Sequence, residues 1–310
     1  MNNLAFVFPG QGSQSVGMLN DLASRHSCIK ETIEEASDAL RYDVWQLISE
    51  GPETQLNQTE YTQPALMAAD VACWRLWCAE HEERPALLAG HSLGEFAAFV
   101  AAGVLSFSDG LMLVAERGRL MQAAVPAGEG AMAAIVGLGD DQVQLLCEQA
   151  AEGQVVSPAN YNSIGQIVVA GQTAAVERAV LLAAAAGARL AKLIPVSVPS
   201  HCALMMPAAI ALKQYLDALS LSAPLFPVIQ NVDAQIHGNI DDIRHCLIEQ
   251  LTQPVRWVAT IQYMQAHGIT EIIECGPGKV LAGLIKRISR DLTVRAGTAI
   301  GPSLDQFEIF

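Results

Sequence analysis

The stretch PALLAGHSLGEFAAFVAAG (85–103) restricts the fold more than any other. A continuous apolar run ends at Gly90, Ser92 stands between Gly90 and Gly94, and an apolar segment with helical spacing follows. In Gly-x-Ser-x-Gly the two glycines let a strand turn sharply into a helix, which leaves the serine hydroxyl standing at the turn. LAFVFPG (4–10) is another apolar run that ends in Pro-Gly, and residues 18–40 and 63–82 carry helical spacing between the two. Continuous apolar strands alternating with helices predict a parallel sheet covered on both faces.

The pattern changes from Gly130 onward. AMAAIVGL, QVVSPANYN, GQIVVAG and ARLAKLIPVS are predicted strands, with helices DDQVQLLCEQAAE and TAAVERAVLLAAAAG among them. That β-α-β-β-α-β order is the ferredoxin-like motif. The expected architecture is therefore α/β: a large α/β-hydrolase-like domain with a mostly parallel sheet (1–125 and 201–310), interrupted by a ferredoxin-like subdomain (126–200). The returning chain predicts a helix at 203–219, a strand PVIQNVD (227–233), two helices between 240 and 267, and a last strand ITEIIECG before a helix from Lys279.

Charge excludes several partners. Thirty-two acidic residues against eighteen basic ones leave a net charge of −14, whereas nucleic acid and anionic membranes call for a basic face. KRISR (286–290) is the densest basic segment and reads as a solvated helix face. The apolar run FAAFVAAGVL (96–105) reaches about half the roughly 20 residues of a spanning helix. The start lacks the basic region and apolar length of a signal peptide. Seven cysteines without a Cys-x-x-Cys pair read as reduced thiols, and no metal constellation appears. A cytoplasmic protein is expected.

A serine hydroxyl needs a base to attack at neutral pH. Of the histidines at 26, 81, 91, 201, 237, 245 and 267, His201 in VSVPSHCA lies after a strand and before a helix, where active-site residues of α/β sheets gather. His91 packs beside the elbow, and Cys202, next to His201, reads as a small buried thiol. The N–H of Leu93, at the start of the helix, can face an oxyanion. Gln11 in FPGQGSQ (8–14) can present a second such N–H. The same loop is not a dinucleotide fingerprint, because Ser15 stands where the third glycine belongs. In LVAERGRLMQ, Arg117 or Arg119 could offer a fork to a carboxylate, and periodicity does not choose between them.

FPGQGSQ, GHSLGE, RGRLMQ, YNSIGQIVVAG, VPSHCAL, QLTQPVRW and ECGPGKVL occur in this order over nearly the whole chain. That series resembles the malonyl-CoA:acyl carrier protein transacylases of bacterial fatty-acid synthesis and the acyltransferase domains of polyketide synthases. The resemblance implies Ser92 as the acyl-accepting serine, His201 as its base, and the N–H groups of Gln11 and Leu93 as the oxyanion hole. It assigns the carboxylate-gripping role to Arg117 and makes the backbone carbonyl of Gln250 the group that orients His201. Asn160 and Asn162 match supporting asparagines. Phe96 stands where many relatives carry tyrosine, and Ile164 where proline is frequent. The implied partners are malonyl-CoA and acyl carrier protein, with no external cofactor and a monomeric chain. The competing expectations are a serine hydrolase or thioesterase, a transacylase subunit of a malonate decarboxylase, and a non-catalytic docking module.

Overall fold

Every side chain of β1 (Leu4–Phe8) is buried, and alternation along the strand sends them into two different cores. In the computed structural model, which describes residues 3–196 and 198–297, Leu4, Phe6 and Phe8 enter one core and Ala5 and Val7 the other. β2 (Leu87–Gly90) divides in the same way, with Leu88 on one face and Leu87 and Ala89 on the opposite face. A strand buried on both sides has no polar face to display, which is why these runs are uninterrupted in the sequence.

Between β1 and β2 the chain forms α1 (Asn20–Arg25), α2 (Ser27–Leu40), α3 (Val44–Glu50), α4 (Glu53–Leu56) and α5 (Thr59–Glu80). The single helical stretch expected at 18–40 is broken at His26, whose extended backbone (φ −133°, ψ 112°) ends one helix and starts the next. After β2 come α6 (Leu93–Ala101) and α7 (Phe107–Ala124). Trp74 and Trp77 of α5 set their rings edge-on against Phe6, at centroid distances of 5.3 and 5.1 Å. That geometry suits aromatic quadrupoles and pins α5 across the sheet.

The middle of the chain builds β3 (Gly130–Val136), α8 (Asp140–Ala151), β4 (Val156–Ser163), β5 (Gln166–Gln172), α9 (Thr173–Ala185) and β6 (Leu190–Ile194). These strands pair antiparallel in the order β4-β5-β3-β6, and α8 and α9 pack on the sheet, Val143 and Val176 sharing a core with Ile135 and Ile167. The strand expected through residue 197 is shorter, and residue 197 lies outside the described residues.

A 3-10 turn (Ala203–Met205) and α10 (Met206–Asp217) occupy the predicted helix at 203–219. β7 (Val228–Ile229) is only two residues long, because the chain turns at once and Ala234 takes a positive φ of 56°. α11 (Ile240–Glu249), α12 (Trp257–Ala266), β8 (Glu271–Glu274) and α13 (Val280–Ile288) follow. The strand expected to be last is not: β9 (Thr293–Ala296) pairs parallel with β8 as an edge strand. The resulting parallel sheet has the order β7-β2-β1-β8-β9. The antiparallel sheet meets the loop between α11 and α12, where Tyr161 N–H donates to the Val255 carbonyl (2.9 Å) and Val255 N–H to the Ala159 carbonyl (2.9 Å). Among the described residues no helix is long and apolar enough to cross a membrane.

Candidate active site

β2 ends at Gly90 and α6 begins at Leu93, so Ser92 occupies the bend between them with φ 53° and ψ −108°. A side chain is strained in that region, and the strain persists because the surroundings leave the bend no alternative. A Cβ on Gly90 would lie 1.9 Å from the Gly94 carbonyl carbon, and one on Gly94 would lie 2.0 Å from the Phe8 oxygen. Both glycines are thus required by close backbone approach. Asn231, just past β7, holds the bend from outside. Its Oδ1 accepts from Ser92 N–H (2.8 Å) and its Nδ2 donates to the Gly90 carbonyl (2.7 Å).

His201 arrives from the segment before α10 and is 2% exposed. Its Nδ1 lies 2.7 Å from the Gln250 carbonyl and its Nε2 lies 2.8 Å from Ser92 Oγ. A carbonyl only accepts, so the ring proton belongs on Nδ1 and Nε2 is free to accept from the serine. Burial, followed by the charge of Arg117, lowers the imidazole to about 3, so the ring is neutral at physiological pH.

Arg117, on α7, is 1% exposed, whereas Arg119 is largely solvated and pairs with Glu116. Periodicity left this pair unresolved. Between them, Gly118 presses its backbone to within contact of α5, where a Cβ would lie 2.7 Å from the Thr59 oxygen. The Arg117 guanidinium donates from Nη1 to Gln63 Oε1 (2.7 Å), and from Nη2 to Gln250 Oε1 (2.8 Å) and Ser92 Oγ (3.3 Å). It also lies over the Phe96 ring at 5.2 Å, while its Nε is buried without a partner. Burial brings this arginine down to about 10.

These groups open into a cleft of about 530 Å³ between the two sheets. Gln11 and Leu93 line it from the β1 loop and the start of α6, and Met132, Val168 and Ile194 line it from the antiparallel sheet. Asn160 and Asn162 border the same space, and Asn162 Oδ1 lies 2.8 Å from Nε2 of His91. His91 is fixed beside the elbow by that bond and by the edge of Trp257 at 5.4 Å. Cys202 is fully buried, donates to the Pro199 carbonyl, and is raised to about 11 by burial.

Other polar partners of these residues escaped the sequence analysis. Gln250 contacts the bend through its side chain as well as His201 through its carbonyl, because Nε2 donates to the Ser92 carbonyl (2.9 Å) and to Glu95 Oε2 (2.8 Å). Gln63, Glu95, Gln230 and Asn231 are each at most 1% exposed, yet they stand amid apolar residues. A polar residue inside an apolar run, such as Glu95 in LGEFAAFVA, was the signal available in the sequence. Away from the cleft, Asp233, His237 and Cys246 bring donor atoms within 4.8 Å of one another, a grouping that sequence spacing conceals. His237 Nε2 there lies 2.8 Å from Asp233 Oδ2. In the basic segment, Lys286, Arg287 and Arg290 are exposed, and Arg287 donates to Gln166 Oε1 (2.6 Å).

A family model described as the acyl transferase domain matches residues 5–301. The malonyl CoA-acyl carrier protein transacylase of Escherichia coli K12 is 54% identical over 296 residues, which cover 96% of each protein. The solved transacylase of Coxiella burnetii is 52% identical, with a TM-score of 0.95 over 96% of this chain and 94% of that one. A malonyl-transacylase solved in complex with a type II polyketide synthase acyl-carrier protein is 50% identical, with a TM-score of 0.94 and 95% of each chain covered. With both sequence and backbone aligned over nearly its full length, this chain belongs to the malonyl-CoA:acyl carrier protein transacylase family of acyltransferases.

Proposed function

We propose that the protein moves a malonyl group from malonyl-CoA to the phosphopantetheine thiol of acyl carrier protein through a malonyl ester on Ser92. One observation carries this reading: the hydroxyl of Ser92 is within bonding distance of both a neutral imidazole (2.8 Å) and a buried guanidinium (3.3 Å). A nucleophile, its base and a cation for a carboxylate converge on one oxygen.

In the first half-reaction Ser92 Oγ attacks the thioester carbon and its proton passes to His201 Nε2. The N–H groups of Gln11 and Leu93 receive the oxyanion, helped by the positive end of α6. Collapse breaks the carbon–sulfur bond, and the proton on His201 leaves with the CoA sulfur. In the second half the pantetheine thiol gives its proton to His201, attacks the ester carbon and departs with the malonyl group, while Ser92 recovers the proton. Such a relay is ping-pong. The imidazole leans on a peptide carbonyl rather than on a carboxylate, which separates it from the Ser-His-acid arrangement of hydrolases.

Arg117 carries the substrate choice. Its neighbours in the cleft are amide and hydroxyl oxygens, its Nε has spare bonding capacity, and the malonyl carboxylate supplies a counter-charge in direct contact. Neutralising Arg117 also removes one of the two main influences that depress His201, so the base strengthens when a carboxylate is bound.

The antiparallel order β4-β5-β3-β6 supports reading residues 126–200 as a ferredoxin-like subdomain inserted in a domain formed by 1–125 and 201–310. A cytoplasmic location fits the reduced thiols, which are all unpaired cysteines. The test is to incubate the protein with malonyl-CoA alone and identify the adduct by mass spectrometry. A malonyl group on Ser92 that moves to added acyl carrier protein is the expected result. Free malonate released at the same rate with and without the carrier would overturn the reading in favour of a hydrolase.

A further inference from the structure

Glu95 lies in the first turn of α6, three residues beyond the nucleophile, and is fully buried. Its Oε2 accepts from the Asn231 N–H (3.0 Å) and from Gln250 Nε2 (2.8 Å), and its Oε1 accepts from Gln230 Nε2 (3.1 Å). Three donors converge on it, which is the environment of a carboxylate rather than of a carboxylic acid. The Gln250 amide that donates to Glu95 accepts from Arg117 Nη2 on its other side, at 2.8 Å. A single amide therefore separates a buried anion from the buried cation of the cleft.

We propose that Glu95 is a specificity-determining positioning residue: a buried counter-charge, acting through Gln250, that tempers the grip of Arg117 on the carboxylate of the acyl group. The inference rests on the malonyl-transfer reading of Ser92. A transferase must surrender what it takes, and a carboxylate held with equal strength in every state deepens the bound states without speeding the chemistry. Glu95 repels the incoming carboxylate from behind Arg117. At a protein-like dielectric, a unit charge one amide away alters affinity by a factor on the order of ten.

A purely architectural role is the alternative, and Glu95→Gln separates the two. The variant keeps the size of the side chain. The Oε1 of Gln230 is buried without a partner, so turning that amide over supplies the acceptor that the new NH₂ group needs. The charge disappears while the bonding frame is kept. At pH 8.5 the ratio of malonyl-CoA to acetyl-CoA kcat/KM is expected to rise on the order of tenfold, and competitive inhibition by free malonate to tighten by a similar factor.

The wild-type protein provides a second readout. Burial raises Glu95 to about 7, so its charge is present at pH 8.5 and largely gone at pH 6. The ionisable groups around it are Arg117 on α7, Cys246 on α11 and His201, at about 10, 12 and 3, with His91 held below its usual range by burial. Arg117, Cys246 and His201 keep their charge states between pH 6 and 8.5, and burial favours the neutral ring of His91. The wild-type KM for malonyl-CoA should rise across that interval, and the difference from E95Q should vanish at pH 6. Equal losses for malonyl and acetyl substrates, or malonate inhibition that does not tighten, would overturn the proposal. If E95Q does not fold, a wild-type KM that is flat from pH 6 to 8.5 overturns it instead. Failure of the wild type to form malonyl-Ser92 is a different outcome and defeats the transfer reading itself.

Discussion

At the scale of single residues, the cleft depends on one buried cation whose shortest contacts are supplied by amides. Removing one member of a buried, hydrogen-bonded charge pair costs about 2–5 kcal/mol, more than the roughly 1–3 kcal/mol that a methylene can discriminate. Arg117→Ala should therefore lower kcat/KM for malonyl-CoA by about 30-fold to several thousand-fold, while acetyl transfer persists or improves. Arg117→Lys should recover little, because a point charge cannot donate to Gln63, Gln250 and a carboxylate with the geometry of a fork. Parallel kinetics with both acyl-CoA substrates decide it, and malonyl kinetics unchanged in either variant would remove Arg117 from the site. The sequence reveals Ser92 through its glycines and His201 through its place before a helix. It conceals the choice between Arg117 and Arg119, which depends on how closely α7 meets α5 at Gly118. Glu95, Gln63 and Asn231 are concealed for a related reason. Their partners are 19 to 155 positions away in the chain, and no local pattern records such pairings.

Elements differ in how much of their shape local chemistry dictates. β1 and β2 are legible because burial on both faces requires an unbroken apolar run. β9 reads TVRA with alternating exposure, follows a charged segment and pairs only on one side, so its pattern resembles a loop until β8 is in place. β7 is truncated because Asn231 leaves the sheet to bond the elbow. The elbow itself tolerates no added atom. Gly94→Ala should cost about 3 kcal/mol or more, since backbone on both sides must move, and should abolish adduct formation at Ser92. Gly283→Ala is the contrasting case, because it lies in α13, has open space where its Cβ would go and needs no special backbone. That substitution should stabilise by about 0.5–1 kcal/mol. Thermal melts of the two variants should shift in opposite directions, and a tolerated Gly94→Ala would contradict the crowding described for the bend.

Taken whole, the molecule keeps buried carboxyl groups beneath the loops of its cleft, and one of them ties stability to pH. Asp70 in α5 is fully buried, and both of its oxygens lack hydrogen-bond partners. Gly276 closes over it from the loop after β8, where a Cβ would lie 2.1 Å from Asp70 Oδ1. Burial, with a lesser push from Glu274, raises this carboxyl well above its ordinary range. Glu274 is itself raised by burial while accepting from the Leu281 and Ala282 N–H groups at the start of α13. A group whose folded value lies above its unfolded value contributes fully below the unfolded range, near pH 4, and its contribution is lost as pH rises toward the folded value. Over that interval the unfolded chain releases a proton that the folded chain retains, which costs about 1.4 kcal/mol per pH unit for one such group. The net charge of −14 adds repulsion of the same sign as the pH climbs. Wild-type protein should therefore melt at a higher temperature at pH 5 than at pH 8. Asp70→Asn, neutral throughout, should show a shallower fall even if its absolute stability is lower. An unchanged slope in that variant would mean that Asp70 ionises at its ordinary value and is not sealed by the loop that carries Gly276.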